Sequence, residues 1–200
     1  MDRKNRIELA INAGLQLIPH VGSPLATLYF GAKQEKRFER IEQTMKEIKD
    51  ELEGVKLANF EEHNEDELLS LIDEWTDNIE NEHLEEKRKL YRRYFEKILI
   101  TPTNGNYEER KYFLDILKSI TPLQVELLIF LFDHPNALDT QISKPGTDNI
   151  MIKSAIIQLQ NYGLIEAKLD SIIITDYLSS MPSYLNVSEL GKRFKDFCIE

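Results

Sequence analysis

Cysteine is almost missing from this chain of 200 residues: Cys198 stands alone, which excludes an intramolecular disulfide framework. Glycine and proline are scarce as well, with 8 and 7 copies, and that scarcity argues against a turn-rich all-β architecture. No apolar run is long and clean enough to span a bilayer. The longest, Leu9 to Ala32, is broken by Asn12, Gln16, Pro19, His20 and Pro24, whereas a spanning helix needs about 20 consecutive apolar residues. It reads as two short apolar helices joined by a tight turn. A secretory n-region, h-region and cleavage pattern is not recognisable, and a reducing cytoplasm is the expected compartment.

The usual signatures of chemistry are lacking too. His20, His63, His83 and His134 are scattered, and no pair stands at a metal-ligand spacing such as i, i+4. His83, within ENEHLEEK, reads as part of a solvated helix face. Cys198 has no histidine nearby and sits beside Phe194 and Phe197, the setting of a small buried hydrophobe. A phosphate-cradling loop, a dinucleotide-binding glycine pattern and a Gly-x-Ser-x-Gly elbow are all missing. Neither a catalytic site nor a metal or other cofactor is expected.

Charge of one sign is in excess. Thirty-five acidic residues against 25 basic ones give a net charge of −10, a field that favours solubility and opposes indiscriminate phosphate binding. With 42% hydrophobic and 30% charged residues, the chain has the composition of a mainly α protein able to bury a core.

Helix boundaries are written in capping chemistry. Ser23-Pro24 sets an N-cap before a proline at the first helical position, where a missing N–H is harmless. From there the pattern changes to a charged helix whose apolar residues Phe38, Ile41, Met45, Ile48, Leu52 and Val55 recur at alternating spacings of 3 and 4. Such spacing is a heptad seam for self-association or helix pairing. The run covers about two and a half heptads, so it fits an intramolecular antiparallel helix pair, with a coiled-coil dimer as the alternative. Asn64 to Glu67 has the capping-box pattern ahead of Leu68, Ile72, Trp75 and Ile79, and a third long helix is expected to reach Ile100. Its acidic start and basic end suit the helix dipole.

Thr101 to Asn106 (TPTNGN) is the clearest linker. It divides the chain into a helical module over 1–100 and a second module over 106–200. Asn106 to Glu109 and Thr121 to Gln124 repeat the capping box, so two consecutive helices follow. Beyond Pro122 the order is helix PLQVELLIFLFDHP, a connector with a short helix in ALDTQIS, helix TDNIMIKSAIIQLQNYG, strand LIEAKL, the β-branched SIIIT, a gap at Asp176 to Pro182, strand SYLNV and helix SELGKRFKDFC. Gly163 stands where a helix end wants positive φ.

That succession, and in particular LQNYGLIE followed by LNVSELGKRFKDF, resembles the winged helix-turn-helix superfamily of bacteria. The resemblance covers about 122–198. It implies a fold of helices with a small β-wing, and a helix over Thr147 to Tyr162 that would enter the major groove of duplex DNA. The residues this assigns to DNA or partner contact are Lys144, Asn149, Lys153, Gln160, Asn161, Lys168, Lys192 and Arg193, with Gln158 and Lys195 beside them. Two departures stand out: the segment of the second helix is short and broken by Pro145-Gly146, and the gap before SYLNV suggests an unusual wing. Lys153 is the only cation on the candidate reading helix, although specific duplex binding needs several phosphate contacts.

The amino-terminal NAGLQLIPHVGSPLATLYFG stretch is similar to the "IP-x-x-G" hairpins that open some bacterial conflict-system proteins, where such segments can be membrane-active. Burial of the hairpin against the long helices, which needs no lipid, is the stronger reading. Three functions are thus open. The first is a non-catalytic adaptor or regulator, bacterial or phage-type, that self-associates or binds a protein partner. The others are a DNA-binding transcriptional regulator and a membrane-active effector.

Overall fold

A computed structural model of the chain describes residues 40, 43, 44, 46–48, 50, 51, 64–102, 104–169 and 183–200. The apolar hairpin of Leu9 to Ala32, the seam residues Phe38, Ile41, Met45, Leu52 and Val55, the SIIIT stretch and the gap at Asp176 to Pro182 lie outside these residues. The protein is mainly helical with one small antiparallel sheet. Its contacts divide it into two units, with the boundary in the chain between Lys118 and Ser119.

The first unit is built from amphipathic helices. Helix α1 (Glu65–Asn81) opens with the Asn64 side chain accepting from the Glu67 amide, and it buries Leu68, Leu71, Ile72, Trp75 and Ile79. Helix α2 (Glu85–Ile100) buries Tyr91, Tyr94, Phe95, Ile98 and Leu99. Trp75 lies at the centre, its ring 4.4 Å from that of Phe95 and its indole N–H donating to the Tyr91 carbonyl at 2.8 Å. Because the indole has one donor and uses it there, full burial of Trp75 leaves no polar atom stranded. Burial also pushes the Tyr91 phenol well above its usual range, with Glu82 and Glu74 adding to the effect.

Between α1 and α2 the chain leaves the helix at Glu82, His83 and Leu84, so His83 is in an exposed break rather than on a helix face. Neither glycine nor proline marks this break. It is held instead by the Glu82 carboxylate, which accepts from the Leu84 amide at 2.8 Å and pairs with Lys87 at 3.1 Å.

The described residues between 40 and 51 are helical, and Ile48, one of the seam positions, is 1% exposed. Glu47 pairs with Arg92, and the Glu51 carboxyl lies beside that of Glu96. Contacts that advance four residues in the same direction on both helices mean that this segment runs parallel to α2. The Glu96 carboxyl is pushed up to about 7, first by burial and then by the hydrogen bond to Glu51, with Arg93 at 3.0 Å pulling the other way.

Helix α3 (Tyr107–Ser119) follows the predicted linker yet clusters with the first unit. The division by contacts thus falls one helix later than TPTNGN. The reason lies in the ties α3 makes: Tyr94 donates to the Arg110 carbonyl at 3.0 Å, Lys111 pairs with Glu74 at 2.5 Å, and the buried Lys87 ammonium donates to the Lys118 carbonyl at 3.1 Å. A cation on the last carbonyls of a helix is where its dipole favours positive charge.

The second unit begins with helix α4 (Pro122–Asp133), whose Thr121 cap makes both bonds of the capping box with Gln124. Strand β1 (Ala137–Leu138) and a single 3-10 turn (Asp139–Gln141) lead to helix α5 (Asn149–Asn161), then to strands β2 (Ile165–Leu169) and β3 (Ser183–Val187) and helix α6 (Glu189–Cys198). The sheet order is β1-β3-β2, all antiparallel, with Ala137 opposite Leu185 and Ile165 opposite Val187. β1 is so short that side chains secure it. Asn136, at φ 62°, and Asn186 exchange two hydrogen bonds of 3.0 Å, and Asp139 accepts from the amide and hydroxyl of Ser183.

The junction that closes this unit is tight. Gly163, at φ 68°, follows the end of α5, and the Leu164 carbonyl accepts from the Ser188 amide at 3.0 Å. Ser188 then caps α6 by accepting from the Gly191 amide at 2.9 Å. Gly191 itself leaves no room for a side chain, since a Cβ there would come within 2.1 Å of the Leu164 oxygen and 2.7 Å of Val187. Glycine is required here for close approach of helix to strand.

Candidate contact surface of the carboxy-terminal unit

α5 has two unlike sides. Its inward side is Ile152, Ala155, Ile156 and Leu159, all buried, and they fix the rotation of the helix. On the opposite side the helical repeat aligns Ile150, Ser154, Ile157 and Asn161, at spacings of 4, 3 and 4, all exposed. Ile150 is 72% exposed, Ile157 54%, and Met151 on the neighbouring flank 59%, the three most exposed large hydrophobic residues among the described ones. Burial of such side chains is worth roughly 1.5–3 kcal/mol each, so three of them exposed on one helix make α5 the most apolar outward face among the described residues.

The polar residues predicted from the sequence occupy the flanks of this strip. Asn149, Lys153 and Gln160 recur at spacings of 4 and 7 and share one flank, with Asn149 and Lys153 exposed and Gln160 half-buried; Gln158 is exposed on the other. Asn161 belongs to the strip itself. Asp148 caps the helix by accepting from the Ile150 amide at 2.8 Å. The helix proper carries no carboxylate, and each of the other helices among the described residues carries at least one.

The flanking cations are mostly engaged within the unit. Lys144 pairs with Glu126 of α4 and Lys192 with Glu189 at 2.6 Å. Lys195 pairs with Glu200 and also lies over the Phe132 ring, 4.8 Å from its centroid. Lys192 holds the Glu189 carboxyl below its ordinary range, with Arg193 adding to the pull. Arg193 is exposed on α6, and Lys168 is exposed on β2 near Glu166. The predicted contact residues are therefore not one basic surface. Lys153 stands on α5, and the others are distributed over the connector, β2 and α6, with a carboxylate at hand for most of them.

What the sequence reasoning missed is the apolar strip. Ile150, Met151 and Ile157 lie in the run NIMIKSAII, where apolar residues occur on every side of the helix, so no periodicity reveals which of them face outward. α4 has the same character: Ile129 and Phe130 are just over a third exposed, and Phe130 stacks on His134 with ring centroids 4.3 Å apart.

Among the described residues, no group of three or more His, Cys, Asp or Glu side chains could hold a metal ion, and Cys198 is a buried free thiol. No helix among them is long and apolar enough to cross a membrane. Compared with protein-family models, with curated proteins and with solved structures, the chain matches none.

Proposed function

We propose that the chain is a non-catalytic adaptor or regulator whose carboxy-terminal unit is a winged-helix module that binds protein through α5. The winged-helix reading draws support from the order helix, short strand, helical turn, helix, strand, strand and from the sheet order β1-β3-β2. In this reading the second helix of the helix-turn-helix is reduced to the Asp139–Gln141 turn, and α5 is the helix that would otherwise read DNA.

One observation carries the choice of protein over DNA. The outward strip of α5 is led by Ile150 and Ile157, while Lys153 is its sole cation and Lys144, Lys192 and Lys195 are already paired with carboxylates. A duplex takes its affinity from phosphate contacts, each contributing about 0.9 to the slope of log affinity against log salt. Lys153 on the helix, with Lys168 and Arg193 on other elements, makes a sparse set of cations, and the −10 charge of the chain opposes the approach. An apolar strip edged by amides suits a protein surface instead.

The test is duplex binding by the full chain, titrated across salt with a labelled random duplex and the DNA upstream of its own gene. No binding at low salt is the expected result. A steep loss of affinity with salt, together with preference for one duplex and weakening by Lys153→Glu, would overturn this reading in favour of a transcriptional regulator.

A further inference from the structure

We infer that the occupant of the α5 strip is a second copy of this chain, the two α5 helices packing antiparallel about a twofold axis close to Ser154. This rests on the reading of the strip as a protein contact and names the partner.

The spacing is self-complementary. In an antiparallel pair centred between Lys153 and Ser154, Ile150 of one copy meets Ile157 of the other, twice by symmetry, which is the requirement of an isologous interface. Both side chains are more than half exposed, and Ser154 between them is small enough to let two helices approach to about 8–10 Å. The polar residues on and beside the strip are Ser154, Asn161 and the flanking Gln158. Each carries both a donor and an acceptor and no charge, so none brings like-charge repulsion into the contact, as a row of lysines or glutamates would.

Charge selects the same helix. Two chains of net charge −10 repel each other, and α5 is the helix of the described residues on which neither copy presents a carboxylate. Lys153 lies off the strip, where its stem can cover apolar surface while the ammonium stays in water. The heptad seam offers less to a partner, because Ile48, its one described member, is already buried within the chain.

Size sets the strength. A strip one helix long, about 20 Å, is smaller than the roughly 800 Å² per partner of a standard interface. The dimer is therefore expected to dissociate on dilution in the micromolar range. Its salt dependence is opposite in sign to that of DNA binding: screening removes the repulsion between the two acidic chains, so association holds or strengthens as salt rises.

Sedimentation velocity of the full chain over a range of concentrations tests this, beside Ile150→Glu and Ile157→Glu. Circular dichroism verifies that both variants keep their helix content, as their exposed positions predict. The wild type should show a monomer–dimer equilibrium, and either glutamate should weaken it at least about tenfold. Ser154→Cys should form an interchain disulfide on mild oxidation, because the axis brings the two copies of that residue together. Thr140→Cys, exposed on the 3-10 turn, should not, and the buried Cys198 contributes no background. A wild type that stays monomeric throughout overturns the second copy as occupant, and the protein-contact reading then stands or falls on the duplex titration. A dimer untouched by both glutamates overturns the strip as a contact altogether.

Discussion

Helices α1 and α5 treat their outer faces in opposite ways. α1 packs Leu71, Trp75 and Ile79 inward and presents Asp66, Asp73 and Asp77 to solvent, so apart from Leu69 its apolar surface is spent within the chain. α5 packs Ile152, Ile156 and Leu159 inward and still presents Ile150, Met151 and Ile157 outside. Both are stably anchored by their inner sides. A helix needs only one apolar face to hold its place in the unit, and under the proposed reading the second face of α5 is its contact surface.

The sharpest way to break the comparison is to attack the inner side of the first unit. Trp75→Ala removes a fully buried ring together with its hydrogen bond to Tyr91, and a loss of about 3–5 kcal/mol is expected in urea unfolding of the chain. Next in size is Gly191→Ala in the second unit. The added methyl meets the Leu164 carbonyl, which is backbone and cannot rotate away, so a loss on the order of 3 kcal/mol is expected, read as a lowered denaturation midpoint.

A smaller effect distinguishes the first unit by pH. Because the Glu96 pKa in the folded chain, about 7, exceeds the ordinary 4.5, the folded state binds more protons than the unfolded one between these values. Stability therefore falls as pH rises from about 5 to 7, by about 1–2 kcal/mol after solvent screening, and is level above and below that window. Glu96→Gln should flatten this segment of the pH profile in thermal melts, with its stability gain largest above pH 7. The smallest effect is the most pointed. Ile150→Ser and Ile157→Ser on the outward side of α5 should change the stability of the monomer by less than about 0.5 kcal/mol, whereas Ile156→Ser on its inner side should cost several times more. Equal losses at the inner and outer positions would erase the contrast.

Much of this fold is legible in the sequence because it is written in local chemistry. Thr121 with Gln124, Asn64 with Glu67, Gly163 after α5 and the strand SYLNV each declare themselves through groups within a few residues. Elements defined by distant partners are not legible. β1 is two residues long and exists because Asn136 and Asp139 bond across to Asn186 and Ser183. The break at Glu82 to Leu84 has no breaker residue, and α3 clusters with the first unit through contacts that skip the linker. The contact surface follows the same rule. Polar residues such as Asn149 and Lys153 can be picked out by type, but the outward isoleucines of α5 become visible only when the packing of Ile152 and Leu159 fixes which way the helix turns.

The most direct test of the claim that α5 meets protein is methyl NMR of the isoleucine-labelled full chain, followed as protein concentration, duplex and a soluble paramagnetic probe are varied. The account predicts that the Ile150 and Ile157 methyl signals shift with protein concentration, become shielded from the probe as they do so, and ignore added duplex. Signals that stay fixed and open to the probe at every concentration, yet move when duplex is added at low salt, would contradict it.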